Sequence, residues 1–279
     1  MAITGANLAS CLDSTRSREP LVHCITNYVT INDCANAVLG CGGSPIMGDE
    51  GDDIADITSI CDALVINIGG LHPDVITGMF AAGARAGELG HPIILDPVGA
   101  GASQQRTEVS GKLLQELPIS VVRGNMSEIK AIAGSGTATR GVDVSSSDIV
   151  TDRNLSESAA FARMLASKLN TVIAITGAID VVADANHAIA IRNGVPLMGK
   201  ITGAGCMLTC LVASYVAANP GDPLTATVAA IAGEGLAGQI AASRMGKLDG
   251  NGTFRTYLLD AIFNMDAARL ATGALIEEL

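Results

Sequence analysis

The chain has 279 residues, 48% of them apolar, and a formal net charge of −11. That is apolar material for a sizeable core, while the acidic balance leaves no basic stripe for nonspecific nucleic-acid binding, though a nucleotide in a local site stays open. No uninterrupted run of about 18 apolar residues points to a membrane span, and the first twenty residues lack the basic and long apolar regions of a secretion signal.

The first dense stretch in chain order is HCITNYVTINDCANAVLGCGGSPIMGDE, residues 23–50. Within it TINDCANAVLG has a helical pattern, with Thr30 as a possible N-cap. Asn32, Asp33 and Asn36 make its first two turns polar. Such an end suits a small polar pocket, a subunit contact or an ordinary surface helix. Four Val- and Ile-rich segments then read as buried strands: 63–69, 92–99, 119–125 and 171–177. Helical patterns over 72–90, with Pro73 in its first turn, and over 156–170, ending on Asn170, alternate with them. Strands alternating with helices predict a parallel sheet covered on both faces. Residues 134–150 are the most loop-like and are expected to be mobile. Residues 178–194 read as a hairpin at the sheet edge, and after Cys206 the chain turns helical. No Pro- or Ser-rich linker and no repeat divides the sequence, so one domain over 1–279 is expected.

Ligands of open parallel sheets bind beyond the carboxyl ends of the strands. The strand-end residues Asn67, Gly69, Asp96, Arg123, Asn125, Thr176 and Gly177 are therefore the candidates. TGAGC, Thr202 to Cys206, is a glycine turn opening a helix. The main-chain N–H groups of Gly203, Ala204, Gly205 and Cys206 and the helix dipole together suit a transferring phosphoryl group. The same spacing also describes a plain tight turn. Asp96, in LDPVGAG, can hold a divalent cation or cap a turn. In RGNMSEI, Asn125 and Glu128 have the spacing of a capping pair, which leaves Arg123 free to clamp phosphate. Seven cysteines, an odd number with no CxxC, fit reduced cytoplasmic thiols. Six of them read as small buried hydrophobes. His23, His72, His91 and His187 share no metal-ligand spacing.

Four segments together resemble the hydroxyethylthiazole kinases: CITNYVTINDCANAVLGCGGSPIM, LDPVGAG, RGNMSEI and GKITGAGC. They occur in family order between about residues 20 and 210. The resemblance implies a ribokinase-like α/β fold, with a central, mostly parallel sheet flanked by helices on both faces. It implies transfer of the ATP γ-phosphate to the alcohol of 4-methyl-5-(2-hydroxyethyl)thiazole, for thiamine synthesis or salvage, in a homotrimer with active sites at subunit interfaces. It places Met47, Gly203 and Asn27 on the thiazole, Arg123 and Thr176 on ATP, and Asp96 and Glu128 around Mg²⁺. Cys206 stands where related sugar and vitamin kinases carry an aspartate base.

A cysteine at a helix N-terminus is expected to have a lowered pKa, so thiolate could accept the alcohol proton. Alternatively, the thiol positions the hydroxyl and the proton leaves late, which is the preferred reading because the transition state is loose. Scarce aromatics predict apolar recognition of the base and loose nucleotide selectivity. Other readings are another ribokinase-like enzyme, such as a pyrimidine-alcohol kinase or an ATP-dependent dehydratase of hydrated nicotinamide cofactor, or an inactive nucleotide-binding sensor. The first group usually has Asp at the Cys206 position, and a sensor has no need of the full set of Asp96, Arg123, Glu128 and TGAGC. A Cys206–Cys210 redox pair is disfavoured, since bridging one turn of helix is geometrically poor.

Overall fold

The computed structural model describes residues 2–49, 51–134 and 148–279. Most of the loop expected at 134–150, residues 135–147, lies outside the described residues. In chain order the elements are α1 (Gly5–Arg18), β1 (Leu21–Ile25), α2 (Ile31–Cys41), β2 (Ser44–Met47), α3 (Ile54–Ile60), β3 (Ala63–Asn67), α4 (Pro73–Leu89), β4 (Ile93–Asp96), α5 (Gln104–Glu116), β5 (Val121–Asn125) and α6 (Met126–Ile132). There follow α7 (Leu155–Leu169), β6 (Val172–Thr176), β7 (Asp180–Ala183), β8 (Ala188–Ile191), a short 3₁₀ turn (Pro196–Lys200), α8 (Ala204–Ala218), α9 (Pro223–Ser243), α10 (Asn251–Phe263), α11 (Ala267–Gly273) and β9 (Ile276–Glu278).

The nine strands form one sheet in the order β2-β1-β3-β4-β5-β6-β7-β8-β9. The first six are parallel and the last three join antiparallel. Successive strand side chains point to opposite faces, so each strand feeds two cores. Ala63, Val65 and Ile94 pack with α1, α2 and α8–α11, whereas Leu64, Ile66, Ile93 and Leu95 pack with α3–α7. This explains the nearly unbroken apolar strands, because neither face is solvated. Each fully buried Val, Leu or Ile contributes about 1.5–3 kcal/mol.

The four central strands and two of the helices lie where the sequence predicts them. Pro73 opens α4, and Gly90 closes it in the left-handed region with φ +70°. Asn170 closes α7 the same way, at φ +50°. The hairpin at 178–194 is present as β7 and β8, but it is not the edge: the C-terminal β9 pairs outside it. β9 escapes sequence reading because three residues carry no period. Thr30 precedes α2 but makes no side-chain cap; its Oγ1 accepts from Cys34 Sγ at 3.7 Å instead. The polar start of α2 also divides. Asp33 is buried and ion-paired with Arg255 of α10, while Asn36 bonds back to Asn32 at the surface.

α9 is the one described helix long and apolar enough, by length and composition, to cross a membrane. Within this fold, 83% of its 18-residue apolar window is packed inside the protein. It is the central helix of the first core.

Candidate active site

Parallel pairing aligns the strand ends, and with them the polar residues that terminate each apolar run. Asn67 is in register with Asp96 and Asn125 with Thr176. α8 starts against this edge. Its N-cap, Gly203, has φ +87°, and a Cβ there would lie 2.6 Å from Thr30 Cγ2, so both backbone conformation and close packing demand glycine. The first main-chain bond of the helix runs from Met207 N–H to Gly203 O at 2.8 Å. The N–H groups of Ala204, Gly205 and Cys206 precede it and have no helical partner.

A buried chain of hydrogen bonds links this helix to the strands. Asn67 Nδ2 donates to Asp96 Oδ2 at 2.9 Å and to Cys206 Sγ at 3.2 Å. Asn27 Nδ2 donates to Asn67 Oδ1 at 3.3 Å and to the same sulfur at 3.4 Å. Thr209, one turn beyond Gly205, donates to Asp96 Oδ2 at 2.8 Å. Two amides thus aim N–H groups at one thiol, which holds the Cys206 rotamer. The expected lowering of its pKa is not what the structure shows. Burial, followed by the negative charge of Asp96, pushes the thiol up to about 11, and hydrogen bonds from Thr30 and Asn67 only partly oppose this. The helix end is outweighed by desolvation.

Asp96 is 1% exposed and its carboxyl is shifted upward by burial, against the pull of Arg123. Its Oδ1 has no hydrogen-bond partner. The guanidinium of Arg123 lies 3.7 Å from Oδ2 and donates to Thr176 Oγ1 at 2.5 Å. It lies flat against Gly205, where any Cβ would collide with it. Glu128 accepts from Gly99 N–H at 2.8 Å and Asn125 N–H at 2.9 Å, and Asn125 caps Glu128 N–H in return. The capping pair is therefore real, and it also pins the Gly99 turn. Burial and the charge of Asp96 raise Glu128 to about 7.

Beyond Arg123 opens a cavity of about 510 Å³ lined by Arg123, Thr176, Ala204 and Gly205 at one end. Val195, Pro196, Met198, Leu208 and Ile231 form its apolar wall. Of the predicted residues, Arg123, Thr176, Ala204 and Gly205 line this cavity, while Asn27, Asp96 and Cys206 form the hydrogen-bonded cluster beside Arg123, with Gly203 at the helix start and Glu128 at the Gly99 turn. Met47 ends β2 on the same carboxyl edge and packs against the first core, without a hydrogen bond to the cluster. Asn67 was legible only as a strand end, yet it is the hub. Thr209 had a usable signal, since it lies on the helical face of Cys206. Asp180 and Glu234, which also line the cavity, were not singled out; Glu234 is the sole charged residue of α9.

Residues 12–268 match the pattern of the Hydroxyethylthiazole kinase family. A hydroxyethylthiazole kinase of Clostridium acetobutylicum is 48% identical over 95% of this chain and 97% of its own. The solved structure of hydroxyethylthiazole kinase protein from Pyrococcus horikoshii superposes with TM-score 0.86 at 35% identity, covering 98% of each chain. A ribokinase-like superfamily protein from Enterococcus faecalis, at 14% identity and TM-score 0.63 over 88% of each chain, shares the fold. With the family pattern spanning most of the sequence and a relative this similar over nearly its full length, the chain belongs to the hydroxyethylthiazole kinase family.

Proposed function

We propose that the protein is an ATP-dependent kinase of 4-methyl-5-(2-hydroxyethyl)thiazole, producing its phosphate ester and ADP for thiamine synthesis or salvage. The observation that carries the reading is the convergence of an unpaired helix N-terminus and the Arg123 guanidinium on one cavity mouth, with buried Asp96 3.7 Å from that guanidinium. The alcohol oxygen attacks the γ-phosphorus and the bond to the β,γ-bridging oxygen of ADP breaks. Because such a transition state is loose, positioning and charge neutralisation supply most of the catalysis. The N–H groups of α8 and Arg123 face the phosphoryl oxygens, and Thr176 holds the guanidinium in place. Asn27, Met47 and Gly203 form the thiazole side.

Cys206 is read as a positioning group. Its sulfur receives two amide N–H groups, and its raised pKa keeps it a neutral thiol near pH 7. The alcohol proton then leaves late, passing to water after the new P–O bond has formed.

The acidic pair fits Mg²⁺. Asp96 presents an unpartnered buried oxygen, whereas both Glu128 oxygens already accept main-chain N–H groups and suit contact through water. Among the described residues no cluster of three or more His, Cys, Asp or Glu makes a cage, as expected for Mg²⁺ completed by water and phosphates. When bound, the ion would neutralise charge on the transferring phosphoryl group.

One continuous nine-stranded sheet, with helices packed on both of its faces, supports reading 1–279 as a single kinase domain. Tyr28 and Val29, 78% and 59% exposed, and Ile31 beside the site support a homotrimer with interfacial active sites. A cytoplasmic location fits the reduced thiols. The test is phosphorus NMR of the purified protein with Mg-ATP and the thiazole alcohol. A phosphomonoester signal growing with ADP is expected; ADP without ester, or binding without turnover, would refute the assignment.

A further inference from the structure

The cavity beyond Arg123 carries six polar side chains, and most are already engaged. Asn193 donates to Gln239 Oε1 at 3.0 Å and Gly273 O at 2.9 Å, and accepts from Leu275 N–H at 2.7 Å. Asn125 caps α6, Thr176 accepts from Arg123, and Asp180 Oδ1 accepts from Gly177 N–H at 2.8 Å. Among the described residues, two buried side-chain atoms of this cavity lack a partner: Arg123 Nε and Glu234 Oε1. One is a cationic donor and the other an acceptor. Buried polar atoms normally find partners, so the absent partners belong to a ligand with an anionic end and a neutral donor.

Glu234 sits on the cavity wall. It is 4% exposed on α9, next to the closely packed Gly235 and one turn before Gly238. A Cβ at Gly235 would sit 2.8 Å from the carbonyl carbon of Asn193, and one at Gly238 would sit 2.6 Å from Met198 Sδ. Small residues thus let α9 press against the Asn193–Met198 segment, which forms the other wall.

We infer that Glu234 recognises the ribose of the nucleoside triphosphate, its carboxyl accepting a hydrogen bond from a sugar hydroxyl. This rests on the reading that the Arg123 cavity holds the nucleotide. A nucleotide offers two kinds of neutral donor, sugar hydroxyls and base amines. Arg123 and Glu234 line the same cavity, so with the phosphates held at Arg123 the sugar, the next group along the nucleotide, is the first donor that Glu234 meets. The apolar wall of Val195, Pro196, Met198 and Ile231 takes the faces of the base, which all bases share. Burial raises Glu234 to about 8, and Asp180 adds to the rise against Arg123. The group is then uncharged at neutral pH and does not repel the triphosphate, while its carbonyl oxygen still accepts.

The test is calorimetric binding of ADP, 2′-deoxy-ADP, 3′-deoxy-ADP and IDP, with Mg²⁺, to the full chain and to Glu234→Gln, Glu234→Leu and Arg123→Ala. The native protein should bind ADP about tenfold more tightly than at least one deoxy analogue. Glu234→Leu should bind ADP and the deoxy analogues alike, and Glu234→Gln, which keeps an acceptor, should retain the preference. Glu234→Ala replaces the leucine variant if that does not fold. Equal binding of ADP and both deoxy analogues by the native protein would overturn the inference. So would a deoxy discrimination that survives Glu234→Leu, or a variant that alters only the ADP-to-IDP ratio. Arg123→Ala that binds ADP as tightly as the native protein would instead remove the nucleotide cavity reading itself.

Discussion

Gly205→Ala separates function from folding at a single methyl group. Gly205 is the second residue of α8, and its Cβ would lie 2.9 Å from Arg123 Nη2 and 3.0 Å from Cζ, with Nη1 closer still. The colliding atoms are the far end of a flexible side chain, so the guanidinium gives way rather than the helix. Alanine gains up to about 1 kcal/mol of helix propensity over glycine, which offsets the local crowding. Displaced, Arg123 loses its bond to Thr176 Oγ1 and its alignment with the phosphate. A charge-assisted bond contributes about 1.5–3 kcal/mol, which corresponds to roughly a 10- to 100-fold rise in KM for ATP. Coupled ADP-release kinetics and a thermal melt measure both quantities on one preparation. The expected result is a Tm within a few degrees of the native value together with that KM defect. A native KM for ATP would refute the reasoning, because it would mean that Arg123 is not confined by Gly205 or does not bind the nucleotide.

Cys206→Ser keeps a small hydroxyl in the Asn27–Asn67 cradle, so kcat should fall less than about tenfold; a far larger loss, with disappearance of a limb of the pH–rate profile, would make the thiolate the base. Glu128 carries a pH signature in stability. Its folded pKa is raised from the ordinary 4.5 to about 7, so the folded state keeps a proton that the unfolded state has released. Its contribution is fully present below about pH 4.5 and is lost as pH rises toward 7, by up to about 3 kcal/mol. Urea titrations of native protein and Glu128→Gln between pH 4.5 and 7.5 should show a shallower decline for the variant, which also loses one main-chain bond. Parallel slopes would assign the pH dependence to other groups.

Local signals located the core of the fold but not its rim. The strands β3–β6 were legible because burial on both faces makes them continuous Val and Ile runs, and α4 and α7 because Pro73, Gly90 and Asn170 mark their ends. α1 and α5 were not read, because both are polar overall and draw their helical order from packing on neighbours. β9 exists only because β8 offers it an unpaired edge.

The site divides on the same physical line. Glycine turns, strand-end carboxylates and the TGAGC helix start are chain-local features, so Asp96, Arg123, Thr176, Gly203 and Cys206 were legible in the chain. Which of them touch depends on strand register and on the seating of α8. Those placed Asn67 between Asp96 and Cys206 and sent Thr209 to Asp96. They also reversed the expected pKa of Cys206, because a helix N-terminus is written locally whereas burial and a neighbouring carboxylate come from residues more than a hundred positions away. Glu234, alone on an apolar helix, acquires its setting solely from the walls that packing brings around it.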